Sequence, residues 1–374
     1  MILLLFYILF VPLILWFLLV IRGYILLSRD INPYNRGFGI FGLSSVFILL
    51  LIILIMIAQD ISLVFNGFFI ALLLNLPILV VGFLILLSTW LARMFRKRYD
   101  SKVKYFREFE ARTVIKINSM KKEKIDTLRK INHVLIFFGL FIVWLISFSI
   151  VMNFSGSWKG MIPLENNTLL IYIQLLTNLK SVSDVLFDFG WFYYVLFYFF
   201  YAFCFIMLAN EFTRKNTQFV FPFNYMSKLL LSEDEKDGYG TYLYFAIGQM
   251  FAAFICPPMV FFAILGMSSI GDLMASQVGI RRGKHQISWN QKKTWEGTIA
   301  ATFTCFFICF FFIGVIWGLI FSISFLLFDV FTGKGFRNIN LSDNLLIPIG
   351  CALVYLLVRF IFNLDYITII LAWF

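Results

Sequence analysis

The chain has 374 residues, of which 61% are hydrophobic, 20% aromatic and only 14% charged, with a formal net charge of +11. That composition excludes a soluble globule of ordinary make-up and places the chain in a membrane. Its apolar runs of about twenty residues or more, in place of alternating segments of about ten, argue for helices over a barrel, so the expected fold is all-α and polytopic, with roughly nine to eleven membrane helices, some short or re-entrant.

Three spans are expected first, over Met1 to Leu27, Phe38 to Ala58 and Leu63 to Met94, forming an N-terminal anchor of residues 1–94 that carries no chemical constellation. The opening residues lack a basic leader and a small-residue cleavage site, so they read as a retained span and not a removed signal. From Arg93 to Lys130 the chain holds fourteen Lys or Arg against five Asp or Glu. Such a run sets orientation: residues 95–128 read as a basic cytoplasmic linker that can also lie against anionic headgroups. Binding to nucleic acid is not expected, because no recognisable nucleic-acid module accompanies the charge.

The remainder, residues 129–374, reads as one membrane domain. Arg129-Lys130-Ile131-Asn132-His133 enters a span reaching Phe154, and two glycosylation-type triplets, at Asn153 and Asn166, fall on its far side. The apolar piece Leu169 to Leu176 is too brief to cross a bilayer. Phe189 to Leu208 is the next span, closed by Asn210-Glu211-Phe212-Thr213-Arg214, where Glu211 and Arg214 stand three apart and can pair. The acidic cluster Glu233 to Asp237 reads as solvated loop. Tyr239 to Ile270 must cross twice if its two ends share a side, and Cys256-Pro257-Pro258 supplies the break. Each half is then about 15 residues, or roughly 22 Å of helix, short against a hydrocarbon core of about 30 Å. Thr298 to Asp329 must return in the same way if Asp343 is to meet Asp272. The last region carries Arg359, Asn363 and Asp365, best explained by an interfacial turn near Asn363. The five cysteines all lie in apolar stretches and read as packing.

The stretch Gly271 to Ala300 is where chemistry concentrates. Read as a helix, Asp272, Ser276, Gly279 and Gly283 fall near one face, which joins a carboxylate to residues small enough for a polyanion to approach the backbone. Arg281, Arg282, Lys284, His285, Lys292 and Lys293 follow. Carboxylate, small residues and cations together suggest phosphate plus metal; the plain alternative is a basic loop between two spans. For phosphoryl transfer, Asp272 and Asp343 are the candidate Mg²⁺ ligands, since that ion takes one or two carboxylates and leaves its other positions to phosphate and water. Lys293 and Lys292 are the candidate phosphate contacts, with Arg281 and Lys284 behind them. Glu296, followed by Gly297, is either a ligand or a helix cap. Asn344 would orient a ligand, and the general base is open between His133, His285 and the two aspartates.

The pieces GDLMAS, Gly279, KKTWEGT and DNLLIP, the last from Asp343 to Pro348, resemble the nucleotide-binding signature of the membrane CTP-transferase superfamily, most nearly its dolichol kinase family. The RK-x-x-H of Arg129 to His133 and the acid-to-Arg close at Glu211 and Arg214 are similar to that family too. The resemblance implies a CTP-dependent lipid kinase with a polyprenol or dolichol acceptor, in the endoplasmic reticulum of a eukaryote or the plasma membrane of a prokaryote. It extends to Arg129, His133, Glu211 and Arg214 as site residues. Where the family commonly has a Glu seven or eight residues before the Asp-Asn pair, this chain has Gly335 and Phe336, and its nearest upstream acid is Asp329. The rivals are a phosphatidate cytidylyltransferase, a phytol or diacylglycerol kinase, and a scaffold or transporter without catalysis.

Overall fold

The computed structural model describes residues 18, 20–30, 33–59, 122–155, 168–177, 191–214, 238–336 and 339–370, with scattered positions between 76 and 120 and residue 231. Residues 20–28 are helical, followed by α1 (Pro33–Gln59), α2 (Lys122–Ser155), α3 (Thr168–Thr177) and α4 (Trp191–Arg214). Then come α5 (Thr241–Ile255), α6 (Pro258–Gly266), a π-helical turn (Met267–Gly271), α7 (Asp272–Arg282), a ribbon of β1 (Gln286–Ile287) and β2 (Asn290–Thr294), and α8 (Trp295–Phe331). A second ribbon, β3 (Gly333–Phe336) with β4 (Ile339–Leu341), leads into α9 (Asp343–Phe362). Most of the expected third span, most of the basic linker, Asn166 and the acidic cluster Glu233 to Asp237 lie outside the described residues.

Helix dominates because only internal hydrogen bonding satisfies a backbone in lipid. Among the described residues five helices are long and apolar enough to cross a membrane: Lys124–Phe154, Phe192–Glu211, Pro258–Arg282, Trp295–Phe331 and Asp343–Phe362. The chain is therefore an all-α integral membrane protein in which the only strands described are two small ribbons.

The reversal at Cys256 is present. Cys256 and Pro257 are both extended, and Pro258 opens α6 at a position where its missing N–H is not needed. Gln249 Nε2 donates to Ser268 Oγ at 2.6 Å, so α5 and the returning limb lie side by side. Only α5 is short; α6, the π-turn and α7 run on as one stretch of 25 residues.

The second reversal is hidden inside α8. Thr298 Oγ1 donates to Asp329 Oδ2 at 2.7 Å although 31 residues separate them, a distance of about 46 Å along a straight helix. The chain turns back at Gly314, whose φ of 84° and ψ of 178° belong to a region that essentially only glycine occupies. Trp295–Phe331 is thus two antiparallel limbs whose ends meet.

α5 is the hub, buried along nearly its whole length and packed against α9, α4 and α1. Gly248 permits the closest of these approaches, since a Cβ there would stand 2.7 Å from the Asn344 carbonyl oxygen. An aromatic cluster of Phe141, Trp144, Phe262 and Phe312 ties α2, α6 and α8 together. The N-terminal helices join the same body: Tyr24 and Ser44 hydroxyls bond at 2.7 Å, and Asn35 Oδ1 accepts the Ser342 N–H at 2.9 Å, one residue before Asp343. At the other end α9 stops at a left-handed Asn363, and the turn brings Asp365 back onto Arg359 at 2.6 Å.

Candidate functional site

The π-turn Met267–Gly271 delivers Asp272 as the first residue of α7, pointed at α2. There Lys130 Nζ donates to Asp272 Oδ1 at 2.8 Å and to the Asp272 carbonyl at 3.0 Å. One turn further along each helix Ser276 donates to Asp126, and beside it Gln277 Nε2 donates to Thr127 Oγ1 at 2.9 Å. Residues four apart on one helix therefore meet residues four apart on the other.

Lys293 comes from the β1–β2 ribbon. Asn290 pins that ribbon to the end of α8, its side-chain amide donating to the carbonyls of Val330 at 3.1 Å and Thr332 at 2.6 Å. Lys293 Nζ pairs with Asp329, donates to Thr332 Oγ1 at 2.7 Å and stands 3.7 Å from Asp343 Oδ2. Asp343 begins α9, and its Oδ1 accepts the N–H of Asn344 at 2.9 Å. Three separate stretches of chain thus contribute carboxylates. Their side-chain exposure sorts them: Asp329 at 1% is sealed, Asp272 at 9% is nearly so, and Asp343 at 28% is open to a ligand.

Charge balances closely here. Burial alone pushes the Lys293 ammonium down, but the carboxylates of Asp329, Asp343 and Asp272 outweigh it and hold that group above its ordinary value. Asp272 and Asp343 are near enough to repel one another, and Lys130 and Lys293 offset that repulsion. His133, one turn beyond Lys130, stacks on Phe245 with centroids 3.9 Å apart, and its Nδ1 is buried without a hydrogen-bond partner among the described residues. Arg129 and His133 also line a cavity of about 850 Å³ between α2 and α4.

Of the residues singled out from the sequence, Asp272, Lys293, Asp343 and Asn344 come together, with His133 beside them. Others stand apart. Glu296 accepts from His285, whose Nδ1 lies 2.6 Å away and whose backbone N–H lies 3.2 Å away, and Thr294 caps α8 through the Gly297 N–H. Gly297 and Gly279 let α8 and α7 touch: a Cβ on Gly297 would stand 2.5 Å from the Ala275 carbonyl and 3.1 Å from Gly279 Cα. At Gly279 the small-residue face packs against α8. Arg281, Lys284 and Lys292 are exposed. Glu211 is fully buried and accepts from the Gly240 N–H at 3.0 Å and from the Tyr242 hydroxyl, which ties α4 to the start of α5. The Arg214 side chain lies outside the described residues.

Sequence reasoning did not assign Lys130, Thr298 or Asp329 to the site. Lys130 was one cation in a long basic run, and Asp329 was visible only as the nearest acid upstream of Asp343.

Among the described residues no three His, Cys, Asp or Glu side chains gather as an all-protein cage. One open carboxylate, Asp343, near a second, Asp272, with two ammonium groups adjoining, fits an ion that takes most of its shell from phosphate and water. No protein-family model, no curated protein and no solved structure matches the chain.

Proposed function

We propose that the protein transfers the γ-phosphoryl group of CTP to the hydroxyl of a membrane lipid alcohol of the polyprenol or dolichol class. The observation that carries this reading is the convergence of Lys130, Asp272, Lys293, Asp329 and Asp343, drawn from five elements of the chain, at one end of an apolar bundle. Phosphoryl transfer needs little covalent work from a protein; it needs positioning and compensation of charge, which paired carboxylates and ammonium groups supply. CTP as donor and a polyprenol as acceptor rest on the resemblance of GDLMAS, KKTWEGT and DNLLIP to the dolichol kinase signature.

In this reading Asp343 and Asp272 would hold Mg²⁺, which would supply neutralisation of the phosphate charge. Lys293 faces the phosphates, kept cationic and aimed by Asp329 and Thr332. Lys130 holds Asp272 in place. The lipid oxygen bonds to the γ-phosphorus as the bond from that phosphorus to the β–γ bridging oxygen breaks. CDP departs with the electron pair, and the hydroxyl proton passes to a base, for which the unpartnered Nδ1 of His133 is the candidate. The exposed Arg281, Lys284 and Lys292 draw the nucleotide in. With residues 95–128 so basic, the site faces the cytoplasm, at the endoplasmic reticulum in a eukaryote or the plasma membrane in a prokaryote.

The direct test is Asp272→Asn. Turnover of CTP with a polyprenol should fall roughly a hundredfold or more while the protein still accumulates in the membrane; turnover near that of the unmodified chain would refute the assignment.

A further inference from the structure

The cavity between α2 and α4 is built from two matched stripes. On α2, Asn132, Ile136, Gly139 and Val143 follow at helical spacing; on α4, Asn210, Met207, Phe203 and Phe199 do the same in the opposite direction. Each stripe begins with an amide at the charged end of the bundle and continues apolar. Two packed helices with such stripes would normally interdigitate, yet a volume of about 850 Å³ stays open between them, at the upper end of what small-molecule sites enclose.

Its depth is informative. From Asn132 to Val143 the α2 wall runs about 16 Å, close to half of a hydrocarbon core of about 30 Å, which is the reach of one leaflet. The walls open sideways as well: Leu135 is 61% and Val143 47% exposed on the face a bilayer would cover. At the polar end the cavity closes on Arg129 and His133, within one turn of the Lys130–Asp272 pair. His133 presents there a buried Nδ1 with no partner among the described residues.

We propose that this cavity holds the hydrocarbon chain of a lipid alcohol, which enters from the bilayer between α2 and α4 and sets its hydroxyl against His133. The inference rests on the phosphotransferase reading for what happens next to that hydroxyl, but occupancy of the groove stands on geometry alone. The buried Nδ1 of His133 offers a hydrogen bond suited to a hydroxyl, and Lys130 and Lys293 beyond it are already engaged with carboxylates. A polyprenol and a diacylglycerol share the required chemistry, a hydroxyl on a long apolar body.

Gly139 provides the probe. It lines the cavity, and a Cβ built on it meets nothing within 4 Å, so a larger side chain projects into the void without displacing the helix. Helix propensity also favours replacing this glycine. The experiment uses the full chain in lipid nanodiscs, without nucleotide, and a long-chain alcohol carrying a photoreactive diazirine midway along its tail. Cross-links should map to residues 132–143 and 195–210. They should be displaced by unlabelled polyprenol or by diacylglycerol, whichever is the acceptor, and not by phosphatidylcholine at equal concentration. Gly139→Trp should lower the cross-link yield about fivefold or more and raise the KM for the alcohol, with the KM for CTP unmoved. Should Gly139→Trp not fold, Gly139→Leu should give the same change in smaller measure.

Cross-links outside these segments, equal displacement by phosphatidylcholine, or yields indifferent to the residue at 139 would overturn the proposal. Since labelling is read without CTP, groove occupancy together with absent phosphoryl transfer would support the groove and refute the proposed reaction.

Discussion

Replacing Asp329 by Asn isolates what holds Lys293 in place. The Asp329 side chain is 1% exposed, accepts from Thr298 Oγ1 at 2.7 Å and pairs with Lys293, whose other carboxylate neighbour, Asp343, is 3.7 Å away. Asn keeps the shape and can still bond Thr298 but removes the charge. Breaking a buried pair by removing one partner costs about 3–5 kcal/mol. Lys293 is 18% exposed and keeps Asp343, so the lower end, about 3 kcal/mol, is expected. At about 2–4 °C per kcal/mol for a large domain, Tm should fall by about 10 °C. Lys293→Met should produce a similar fall, because it strands a sealed carboxylate. The double variant leaves no sealed charge unpaired, only the partly open Asp343, so its loss should be smaller than the sum by about 2 kcal/mol, within the range typical of contacting residues. The assay is thermal unfolding of the four purified proteins in one detergent at one scan rate. Shifts that add to within about 0.5 kcal/mol, or an Asp329→Asn protein as stable as the parent, would refute the pairing.

Two other outcomes follow from the same geometry. Gly314→Ala places a Cβ 3.1 Å from the Ile367 carbonyl in a backbone region closed to other residues, at a cost of about 1–3 kcal/mol; a Tm unchanged from the parent would contradict the hairpin reading of α8. The pH dependence of the Lys293 pair is fixed by its sign. A basic group whose folded pKa is raised contributes its stability in full below the unfolded value and loses it only as pH climbs through the folded one. The Tm difference between the parent and Lys293→Met should therefore stay level from about pH 7 to 10 and shrink only well above the ordinary lysine value of 10.5. A difference that fades below about pH 9 would contradict it.

Much of the architecture was legible because membrane helices announce themselves by composition, and breaks by proline. The Cys256-Pro257-Pro258 reversal, the brief helix at Thr168–Thr177 and the turn at Asn363 were each anticipated from local residues. The return of Thr298 to Asp329 was anticipated from topology, since Asp272 and Asp343 needed a common side, but nothing local marked Gly314 among the apolar residues of α8. The site divided along the same line. Asp272, Lys293 and Asp343 stood out as charges beside long apolar runs. Lys130 did not, because its bond to Asp272 spans 142 positions and no periodicity connects them. Asp329 acquires meaning only once the hairpin closes. The small face of α7 was ambiguous for a related reason: glycines admit a ligand or a helix equally well, and at Gly279 it is Gly297 of α8 that comes close. The β1–β2 ribbon that aims Lys293 was missed because its strands are two and five residues long, too short for alternation to register.

The central claim is tested most directly by incubating the purified protein in lipid with a polyprenol, Mg²⁺ and CTP labelled at either the α or the γ phosphate. The account predicts label in the lipid from the γ position alone, with CDP released in equal amount. Label from the α position, with phosphatidate as acceptor, would contradict it in favour of cytidylyl transfer, and no label from either position with any lipid alcohol would remove phosphoryl transfer as the function of this site.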